Sequence, residues 1–424
     1  MTKGKETAGV VGLGYVGLPA AAAFAEKYHV TAFDIDESRI ERLKAGVDDT
    51  GSVPPEELKK ASITFTADPA RLKDCQYIIV VVPTPINEYK EPDVTYLANA
   101  SKIVGENMAP GTSVIYESTV YPGATEERCI PLLEQYSGMK AEQDFYVGYS
   151  PERINPGDKE HTFKTITKVA AAQSEASLHR IAAFYQSVME ADVHKVSSIK
   201  TAEASKVVEN TQRDINIAFM NELSVLFQSM GINTRDVLEA AQTKWNFIPV
   251  TPGLVGGHCI GVDPYYLIYR AKREGKEAPL LSTSRKINED MTDYIVTAVM
   301  QKIISHNLAP SSLNITILGA SFKENIGDTR NSKALEVAEK IQHLGLSLQI
   351  HDPHVPSAEP FPVSDMKDLT QADILLILVP HAEYQTLDDA ALARIVKRKT
   401  GIIFDIKGVL DKKSITDFPY IYQL

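Results

Sequence analysis

Short apolar runs alternate with longer amphipathic segments through the N-terminal part of the chain. The runs at residues 8–11 and 30–33 predict strands, and the alanine-rich segment at 18–27 between them predicts a helix. Further strands, separated by helical segments, are predicted at residues 77–82, 113–117 and 146–148. Because strands and helices alternate, the pattern favours a parallel, doubly wound sheet.

The C-terminal third of the chain repeats this order. Strands are predicted at 315–318 and 348–351, with a helix at 333–344 between them. Two pairs of segments are similar: DCQYIIVVVP (74–83) with ADILLILVP (372–380), and TSVIYEST (112–119) with TGIIFDIKG (400–408). Because the similar segments follow in the same order, the sequence predicts an α/β protein with two Rossmann-like, doubly wound parallel-sheet domains.

A long helix is predicted in the middle of the chain, because no proline or glycine interrupts residues 200–230. About 30 helical residues would span about 45 Å. Its apolar residues lie on more than one stripe and include Val207, Val208, Ile215, Ala218, Leu223 and Leu226. This pattern predicts a homodimer or a higher homo-oligomer. The predicted domains are a Rossmann-like domain over 1–198, a central helical domain over 199–308 and a second Rossmann-like domain over 309–424.

The composition narrows the classes of partner. The 424 residues carry a net charge of −11, which argues against a nucleic-acid partner. No apolar segment approaches the roughly 20 residues of a membrane span, and the N-terminus does not resemble a signal peptide. The three cysteines are too far apart for a disulfide framework or a metal site, so we expect no metal and a cytoplasmic location. Cys75 and Cys129 fall among apolar residues and are expected to be core thiols.

A glycine-rich turn follows the first predicted strand. Gly12 permits the tight turn, Gly14 lets a pyrophosphate approach the backbone, and Gly17 lets the helix pack against the strand. Asp34 ends the next strand, where a carboxylate accepts hydrogen bonds from ribose hydroxyls and repels a 2′-phosphate. The turn therefore predicts NAD rather than NADP, a preference that the nearby Arg39 weakens.

The start of the long helix carries a polar face. Glu203, Lys206 and Asn210 are spaced by three and four residues, and Arg213 continues the same face. A lysine and an asparagine on one face can bind and polarise a substrate oxygen. The alternative is a solvated helix surface, which the apolar surroundings of these residues disfavour.

Cys259 lies among glycines in the segment GLVGGHCIGVDPYYL. The small neighbours would let other groups approach the sulfur, so the thiol is either a nucleophile or a structural residue of a tight turn. Asp263 would act as a base on water or hold the loop. His258 is expected to contact the substrate rather than act as a base, because adjacent side chains often point apart.

Polar residues also follow three other predicted strands. Ser118 and Thr119 come at the end of one strand, and SPERINPGD, with Glu152, Arg153 and Asn155, follows the next. Open α/β sheets bind their ligands at these strand ends. In the C-terminal part, FKENIGDTRNS supplies Lys323 and Arg330 where the first domain has glycines, which predicts a second phosphorylated ligand.

Seven motifs in order make the chain similar to the UDP-glucose/GDP-mannose dehydrogenase family over essentially its whole length. They are GLGYVGLP, VPTP, ESTVYPG, SPERINPGD, AEASKVVENTQRD, GGHCIGVDPYY and FKENIGDTRNS. The resemblance is strongest to the bacterial branch that acts on UDP-N-acetylhexosamines, with UDP-N-acetylglucosamine the best candidate. It implies catalytic roles for Cys259, Lys206, Asn210, Asp263, Thr119 and Glu152. It implies contacts with NAD for Tyr15, Val16, Asp34, Arg39, Thr84, Thr119 and Arg330. It implies contacts with the UDP-sugar for Arg153, Ile154, Lys206, Asn210, Arg213, Gly256, Phe322 and Lys323.

Two positions depart from the family pattern. Pro156 stands where relatives that act on UDP-glucose have a second glutamate, which supports a different sugar. Thr243, followed by Lys244, stands where relatives often have an arginine that enters the neighbouring subunit's site.

The resemblance implies an NAD-dependent, four-electron oxidation of the sugar C6 hydroxyl to a uronic acid through a covalent Cys259 intermediate, for surface polysaccharide synthesis. Within the family, the alternative is a UDP-N-acetylmannosamine or UDP-glucose 6-dehydrogenase. Two alternatives come from other classes: a two-electron 3-hydroxy acid dehydrogenase and a non-catalytic NAD-binding regulator. The first would leave Cys259 and the second Rossmann-like domain without a function. The second is disfavoured by the intact set of Lys206, Asn210 and Cys259.

Overall fold

The computed structural model describes residues 6–60, 62–154, 160–410 and 415–424. The chain divides into two compact units inside its longest helix. The first unit comprises Met1–Glu209 and Tyr265–Glu277, and the second comprises Asn210–Pro264 and Ala278–Leu424. The division into three domains stays a prediction. The predicted central domain, residues 199–308, is shared between the two compact units.

The first unit is built on an eight-stranded sheet. Its strands are β1 (Thr7–Val11), β2 (His29–Phe33), β3 (Ile63–Thr66), β4 (Tyr77–Val80), β5 (Ser113–Tyr116), β6 (Tyr146–Tyr149), β7 (Lys168–Ala172) and β8 (Val193–Lys195). The order across the sheet is β3-β2-β1-β4-β5-β6-β7-β8, and every pairing is parallel except β6 with β7. The first six strands therefore have the doubly wound order that switches direction between β1 and β4.

Helices pack against this sheet, and an apolar cluster joins side chains of its strands with side chains of its helices. They are α1 (Gly17–Phe24), α2 (Glu37–Lys44), α3 (Pro55–Lys60), α4 (Thr95–Asn107), α5 (Ile130–Ser137) and α6 (Glu175–Gln186). Helix α1 ends three residues before the predicted boundary, because Glu26 and Lys27 donate their N–H groups to carbonyls three residues earlier. Such bonds tighten the last turn and end the α-helix.

The second unit contains a five-stranded sheet in which all pairings are parallel. Its strands are β9 (Asn314–Leu318), β10 (Ser347–His351), β11 (Ile374–Ile377), β12 (Ile402–Asp405) and β13 (Tyr420–Tyr422). The order β10-β9-β11-β12-β13 is again doubly wound, with its switch point between β9 and β11. An apolar cluster lies on each face of this sheet. The prediction of two Rossmann-like parallel sheets is confirmed.

The remaining helices form the middle of the chain and the faces of the second sheet. They are α7 (Ile199–Met230), α8 (Thr234–Gln242), α9 (Asp263–Arg273), α10 (Pro279–Ser305), α11 (Lys333–His343) and α12 (Asp389–Ile395). Helix α7 has 32 residues, in agreement with the long helix predicted from the absence of proline and glycine. Val207 and Ala218 are buried in α7, whereas Val208, Phe219, Leu226 and Met230 are exposed. The exposed four are 11, seven and four residues apart, so they form one apolar stripe.

Candidate active site

The glycine turn between β1 and α1 has the close approaches that its sequence predicts. A Cβ atom at Gly12 would lie 2.3 Å from the Val81 carbonyl oxygen, and one at Gly17 would lie 1.8 Å from the Gly12 oxygen. A Cβ atom at Gly14 would meet nothing within 4 Å. Gly12 and Gly17 are therefore required by the fold, whereas Gly14 leaves open space at the N-terminus of α1. That space suits a dinucleotide pyrophosphate, because the first N–H groups of a helix attract phosphate.

The two residues that follow Gly14 border the same space. Tyr15 is exposed, and Val16 directly precedes α1. The Leu18 N–H donates to the Gly14 carbonyl inside the turn. Gly14 and Tyr15 are both exposed, so they form the side of the turn that faces solvent. This arrangement fits the predicted contacts of Tyr15 and Val16 with NAD.

Asp34 lies at the end of β2 beside the glycine turn. One carboxylate oxygen accepts from the Leu13 N–H at 2.8 Å, and the other accepts from the Asp36 N–H at 3.0 Å. Asp34 is only partly buried, so its oxygens keep acceptor positions for ribose hydroxyls. Arg39 donates from Nε to the Leu13 carbonyl at 2.7 Å and from Nη2 to Asp48 at 3.3 Å. Its guanidinium holds the turn, which favours NAD over a cofactor with a 2′-phosphate.

Thr84 and Thr119, which follow β4 and β5, meet at the edge of the first sheet. The Thr84 hydroxyl donates to the Thr119 carbonyl at 2.6 Å. Ser118 accepts from the Val82 N–H at 2.9 Å and donates to the Val82 carbonyl at 2.7 Å. The Ser118 side chain therefore joins two strand ends and is structural. Tyr266, on α9, donates its hydroxyl to the Thr84 carbonyl.

Glu152 is a buried carboxylate three residues after β6. Its Oε1 atom accepts from the N–H groups of Arg153 at 2.6 Å and Ile154 at 2.7 Å. Its Oε2 atom accepts from Lys168 Nζ at 2.7 Å. Lys168 is fully buried and also donates to Glu117, the residue directly after β5, at 3.0 Å. Two strand ends are thus joined by a buried ammonium group.

The neighbours of Glu152 include two predicted substrate residues. The Arg153 guanidinium pairs with Glu209 at 2.8 Å and donates to the Thr167 carbonyl at 3.0 Å. Ile154 packs against the core of the first unit. Asn155 and Pro156 lie outside the described residues.

Glu203, on the first turns of α7, has a structural task. Its carboxylate accepts from the N–H groups of Gly123 at 2.5 Å and Thr125 at 2.9 Å, and the residue is fully buried. Burial raises the pKa of Glu203 to about 7. The side chain therefore fixes the turn that leads into α5.

Lys206 and Asn210 occupy successive turns of α7, and both are buried. Asn210 Nδ2 donates to an Asp263 carboxylate oxygen at 2.5 Å. Asp263 is the first residue of α9 and is itself buried. Arg213, predicted to continue this face, is exposed. The structure thus brings together Asn210 and Asp263, two residues that the sequence separates by more than fifty positions.

Cys259 is exposed in the turn before α9. Its carbonyl accepts from the N–H groups of Val262 at 3.1 Å and Asp263 at 2.8 Å. These bonds fix the backbone of Cys259 relative to the Asp263 residue that Asn210 holds. Cys75 and Cys129 are buried, as predicted, and burial raises their pKa values to about 11 and about 12.

Asparagine side chains hold the loop before Cys259 at two points. Asn221, on α7, accepts from the Gly253 N–H at 2.7 Å and donates to the Gly253 carbonyl at 3.0 Å. The main-chain carbonyl of Asn331 accepts from the Gly257 N–H at 3.2 Å, and the Asn331 side chain donates to the Gly257 carbonyl at 2.8 Å. The second contact joins the GGHC motif to the FKENIGDTRNS motif.

The glycines of the GGHC motif are required by this packing. A Cβ atom at Gly256 would lie 2.6 Å from the Asn331 carbonyl oxygen. At Gly257 it would lie 2.5 Å from the Phe322 ring, and φ there is 79°. Phe322 also contacts the His258 ring edge-to-face at 5.5 Å. Gly256, His258 and Phe322, three predicted substrate residues, are therefore adjacent.

Three consecutive segments match the UDP-glucose/GDP-mannose dehydrogenase family: its NAD binding domain at 6–189, its central domain at 200–290 and its UDP binding domain at 316–412. Protein CapL of Staphylococcus aureus is 46% identical over 420 residues, which cover 98% of this chain and 99% of CapL. The UDP-N-acetyl-D-glucosamine 6-dehydrogenase of Pseudomonas aeruginosa is 43% identical over 95% of this chain and 97% of that enzyme. The structure of UDP-D-ManNAc dehydrogenase from Pyrococcus horikoshii superposes with a TM-score of 0.90 at 31% identity, covering 98% of each chain. The chain belongs to the UDP-glucose/GDP-mannose dehydrogenase family.

Membership of the family makes the protein an NAD-dependent UDP-sugar dehydrogenase, with a separate domain for each nucleotide. The predictions of the family, the enzyme class and the cofactor are confirmed. Within the described part of the chain, no helix has both the length and the apolar character that a membrane span needs.

The cationic loop after β9 carries the remaining predicted residues of the dehydrogenase. Arg330 forms an ion pair with Asp328 at 2.7 Å and keeps an exposed side chain. Partial burial, and then the positive charge of Arg330, lower the pKa of His258. His258 is therefore neutral at physiological pH. Lys323 is half-buried directly after Phe322.

In the second sheet, the aspartate that corresponds to Asp34 is buried and already engaged in hydrogen bonds. Asp352 directly follows β10, and one of its oxygens accepts from the N–H groups of Ala320 at 2.7 Å and Ser321 at 3.0 Å. His381 pairs with the same oxygen at 3.0 Å, and these hydrogen bonds lower the pKa of the buried carboxyl to about 2. Asp352 is 5% exposed, so it has no face to offer a ribose.

His381 also belongs to a group with His354 and Glu383 whose ligand atoms lie within 4.8 Å of one another. Both ring nitrogens of His381 are already used, because Nδ1 accepts from the Asn325 N–H at 2.9 Å and Nε2 pairs with Asp352. The group is therefore a hydrogen-bond network that holds the loops after β10 and β11.

Sequence reasoning missed four of the polar residues that hold the site: Lys168, Asn221, Tyr266 and Asn331. The signal for Lys168 was a lysine at the start of the otherwise apolar strand KVAAA. The signal for Asn331 was its place inside a recognised motif. Tyr266 likewise ends the recognised motif GGHCIGVDPYY. Asn221 carried no local signal, since an asparagine in a long helix is common.

Proposed function

We propose that this dehydrogenase oxidises the C6 hydroxyl of a UDP-N-acetylhexosamine to the carboxylate, with UDP-N-acetylglucosamine as the preferred substrate. The observation that carries the proposal is the exposed Cys259, whose backbone is bonded to the buried Asp263 that Asn210 holds. A two-electron alcohol oxidation needs no thiol. The oxidation of an aldehyde to an acid, in contrast, can proceed through a covalent intermediate on a thiol.

The choice of sugar is supported by the degree of similarity to the relatives. Identity is 43% with an enzyme named for UDP-N-acetyl-D-glucosamine and 31% with one named for UDP-D-ManNAc. Pro156, in place of a second glutamate, further disfavours UDP-glucose. We place the reaction in the cytoplasm, which holds UDP-sugars and NAD⁺, and propose that the uronic acid feeds surface polysaccharide synthesis.

The residues have distinct tasks in this reaction. The alcohol, two NAD⁺ and one water give the carboxylate, two NADH and three protons, and NAD⁺ supplies the hydride acceptor for both oxidations. The Cys259 thiolate attacks the aldehyde carbon and forms a thiohemiacetal, which becomes a thioester when its hydride is removed. Lys206 stabilises the negative charge on the substrate oxygen, and Asn210 donates a hydrogen bond to it.

Hydrolysis of the thioester needs a positioned water. We assign this task to Asp263, Thr119 and Glu152, whose oxygens accept hydrogen bonds. Arg153, Ile154, Asn155, Arg213, Gly256, His258, Phe322 and Lys323 are proposed to bind the UDP-sugar. Gly12, Gly14, Tyr15, Val16, Gly17, Asp34, Arg39, Thr84, Thr119 and Arg330 are proposed to bind NAD.

A homodimer is proposed from the exposed stripe on α7. Val208, Phe219, Leu226 and Met230 form an apolar row on a helix of 32 residues. A second copy of this chain would bury such a row against its own, because a twofold interface pairs a surface with itself. Higher oligomers remain compatible with this contact.

The test compares NADH formation with UDP-N-acetylglucosamine, UDP-N-acetylmannosamine, UDP-N-acetylgalactosamine and UDP-glucose. We expect the highest kcat/KM with UDP-N-acetylglucosamine and two NADH for each sugar consumed. One NADH per sugar would refute the four-electron reaction, and no NADH with any UDP-sugar would refute the proposed function.

The covalent role of the thiol has its own test. Cys259→Ser should still bind the sugar nucleotide but stall in the second half-reaction, because a serine ester is hydrolysed more slowly than a thioester. Cys75→Ala, which removes a buried thiol far along the chain, serves as the matched control and should keep the wild-type stoichiometry. Unchanged turnover in Cys259→Ser would show that the thiol is not the nucleophile.

A further inference from the structure

Lys168 is the fully buried ammonium group at the start of β7, and nothing in the proposed reaction yet uses it. Its Nζ atom lies 2.7 Å from Glu152 and 3.0 Å from Glu117. It also lies over the rings of Phe163, at 4.7 Å, and Tyr185, at 5.4 Å from the ring centres. Burying an ion pair rarely adds stability over an apolar replacement of the same size. A charge kept at such a position therefore calls for a functional explanation.

We propose that Lys168 is a positioning residue that holds the Glu152 carboxylate in one orientation, so that one acceptor position of Glu152 points to the hydrolytic water. The inference rests on the proposed function, in which Glu152 helps to hold that water. Lys168 is fully buried and would act through Glu152 rather than on the substrate or cofactor.

The hydrogen bonds of Glu152 support this role. A carboxylate offers about four acceptor positions. Two on Oε1 are taken by the N–H groups of Arg153 and Ile154, and one on Oε2 is taken by Lys168. The remaining acceptor position on Oε2 has a direction fixed by the other three bonds. A carboxylate held in this way serves as a fixed acceptor and negative charge rather than as a mobile proton carrier.

Glu117 balances the lysine from the other side. Its second oxygen accepts from the Tyr185 hydroxyl at 2.5 Å. Burial raises the pKa of Glu117 to about 7, so near neutral pH this carboxyl takes up a proton in part of the molecules. When Glu117 is neutral, Lys168 forms an ion pair with Glu152 alone.

The charged groups around Glu152 set the sign of the pH effect. Within the described ranges, the ionisable side chains that face Lys168 and Glu152 are Glu117 and Tyr185, and the Arg153 guanidinium pairs with Glu209 instead. A nearby cation favours ionised Glu152, and a nearby carboxylate opposes it. Removal of Lys168 takes away the cation beside Glu152, whereas removal of the Glu117 charge takes away a carboxylate and leaves that cation in place.

The experiment compares two variants of the full-length enzyme that differ only at Lys168. Lys168→Met alone would leave two buried carboxylates without their cation and is at risk of not folding. The test variant is therefore Lys168→Met/Glu117→Gln, which removes one charge of each sign. Glu117→Gln is the matched control, and Glu152→Gln is the reference for loss of the carboxylate. Thermal unfolding and NAD⁺ binding first establish that each variant is folded.

The readout is the pH profile of kcat, together with the amount of covalent intermediate on Cys259 found by mass spectrometry after an acid quench. We expect the acid limb of the test variant to move up by about one pH unit or more relative to Glu117→Gln. If the acid limb of kcat moves up by about one pH unit, the test variant should be about tenfold slower than Glu117→Gln at pH values well below both limbs. We also expect the test variant to accumulate thioester, as Glu152→Gln does.

An acid limb that is the same in the test variant and in Glu117→Gln would overturn the proposal, even if kcat falls evenly at every pH. So would an absence of accumulated thioester in a folded test variant. Failure of the proposed function would look different, since wild-type enzyme would then form no NADH from any UDP-sugar and the comparison would have no starting activity.

Discussion

Gly14 and Gly17 separate the task of binding NAD from the task of forming the turn. Gly14 is exposed, its φ lies outside the left-handed region, and a Cβ atom there meets nothing within 4 Å. A Cβ atom at Gly17 would lie 1.8 Å from the Gly12 carbonyl oxygen, far inside contact distance. We therefore expect Gly14→Val to block the cofactor without disturbing the fold, and Gly17→Ala to disturb the fold itself.

The expected magnitudes follow from this geometry. A side chain added in open space on the surface changes the free energy of unfolding by no more than about 0.5 kcal/mol. An overlap that forces backbone shifts costs about 1–3 kcal/mol. For a ligand that binds only the folded protein, saturation at 100 times its Kd stabilises by about 2.7 kcal/mol. Gly14→Val should lose this last contribution and keep the stability of the ligand-free protein.

The assay is calorimetric unfolding of wild type and both variants, each with and without NAD⁺. Wild type should show a cofactor-dependent rise in the transition of the first unit. Gly14→Val should unfold as wild type does without NAD⁺ and show no rise with it, whereas Gly17→Ala should unfold earlier in both conditions. If Gly14→Val keeps the full rise with NAD⁺, the pyrophosphate does not approach the backbone at this turn, and the reasoning is wrong.

Three further predictions concern the loop, the oligomer and the second sheet. Asn221→Ala removes both bonds to Gly253 and leaves buried backbone groups unsatisfied, so urea titration should show a loss of about 2 kcal/mol, and an unchanged midpoint would contradict the role of this side chain. Phe219→Glu puts a charge in the exposed stripe of α7 and should turn a dimer into a monomer in sedimentation, whereas a surviving dimer would place the interface elsewhere. The folded-state pKa of Asp352 is about 2, against an unperturbed 3.8, so its contribution is present above about pH 4 and is lost as pH falls towards about 2. Asp352→Asn should flatten this part of the acid-unfolding curve and cost about 2 kcal/mol at neutral pH, and an unaltered curve would show that the carboxylate is not stabilised.

The features that sequence alone predicts are those whose residues are close neighbours along the chain. Gly12, Gly14 and Gly17 lie within six positions, and their geometry follows from one strand, one turn and one helix. The central strands of the two sheets were predictable for the same reason, because they are short apolar runs, whereas β3, β7, β8 and β13 were not predicted. Helix α7 followed from the absence of proline and glycine.

The contacts that fix the site join residues far apart in sequence, and no local pattern records them. Asn331 bonds to Gly257 across 74 positions, and Tyr266 bonds to Thr84 across 182. Lys168 is harder still, because a lysine at a strand end normally marks the solvent boundary, and only the meeting of Glu117 and Glu152 makes its burial tolerable. Periodicity states which face is buried, but not which polar groups meet there.

Because the buried Asp352 carboxylate is already engaged in hydrogen bonds, we expect a dinucleotide to bind at the glycine turn of the first sheet rather than at the second sheet. Both oxidations in the proposed reaction then share the glycine turn of the first sheet, so spent cofactor has to be exchanged between them. During that exchange the half-oxidised sugar is an aldehyde, a species that reacts readily with amines. A thiol that holds the aldehyde covalently would confine it until the second oxidation. Added carbonyl-trapping reagents should therefore recover almost no aldehyde from the wild-type enzyme during turnover.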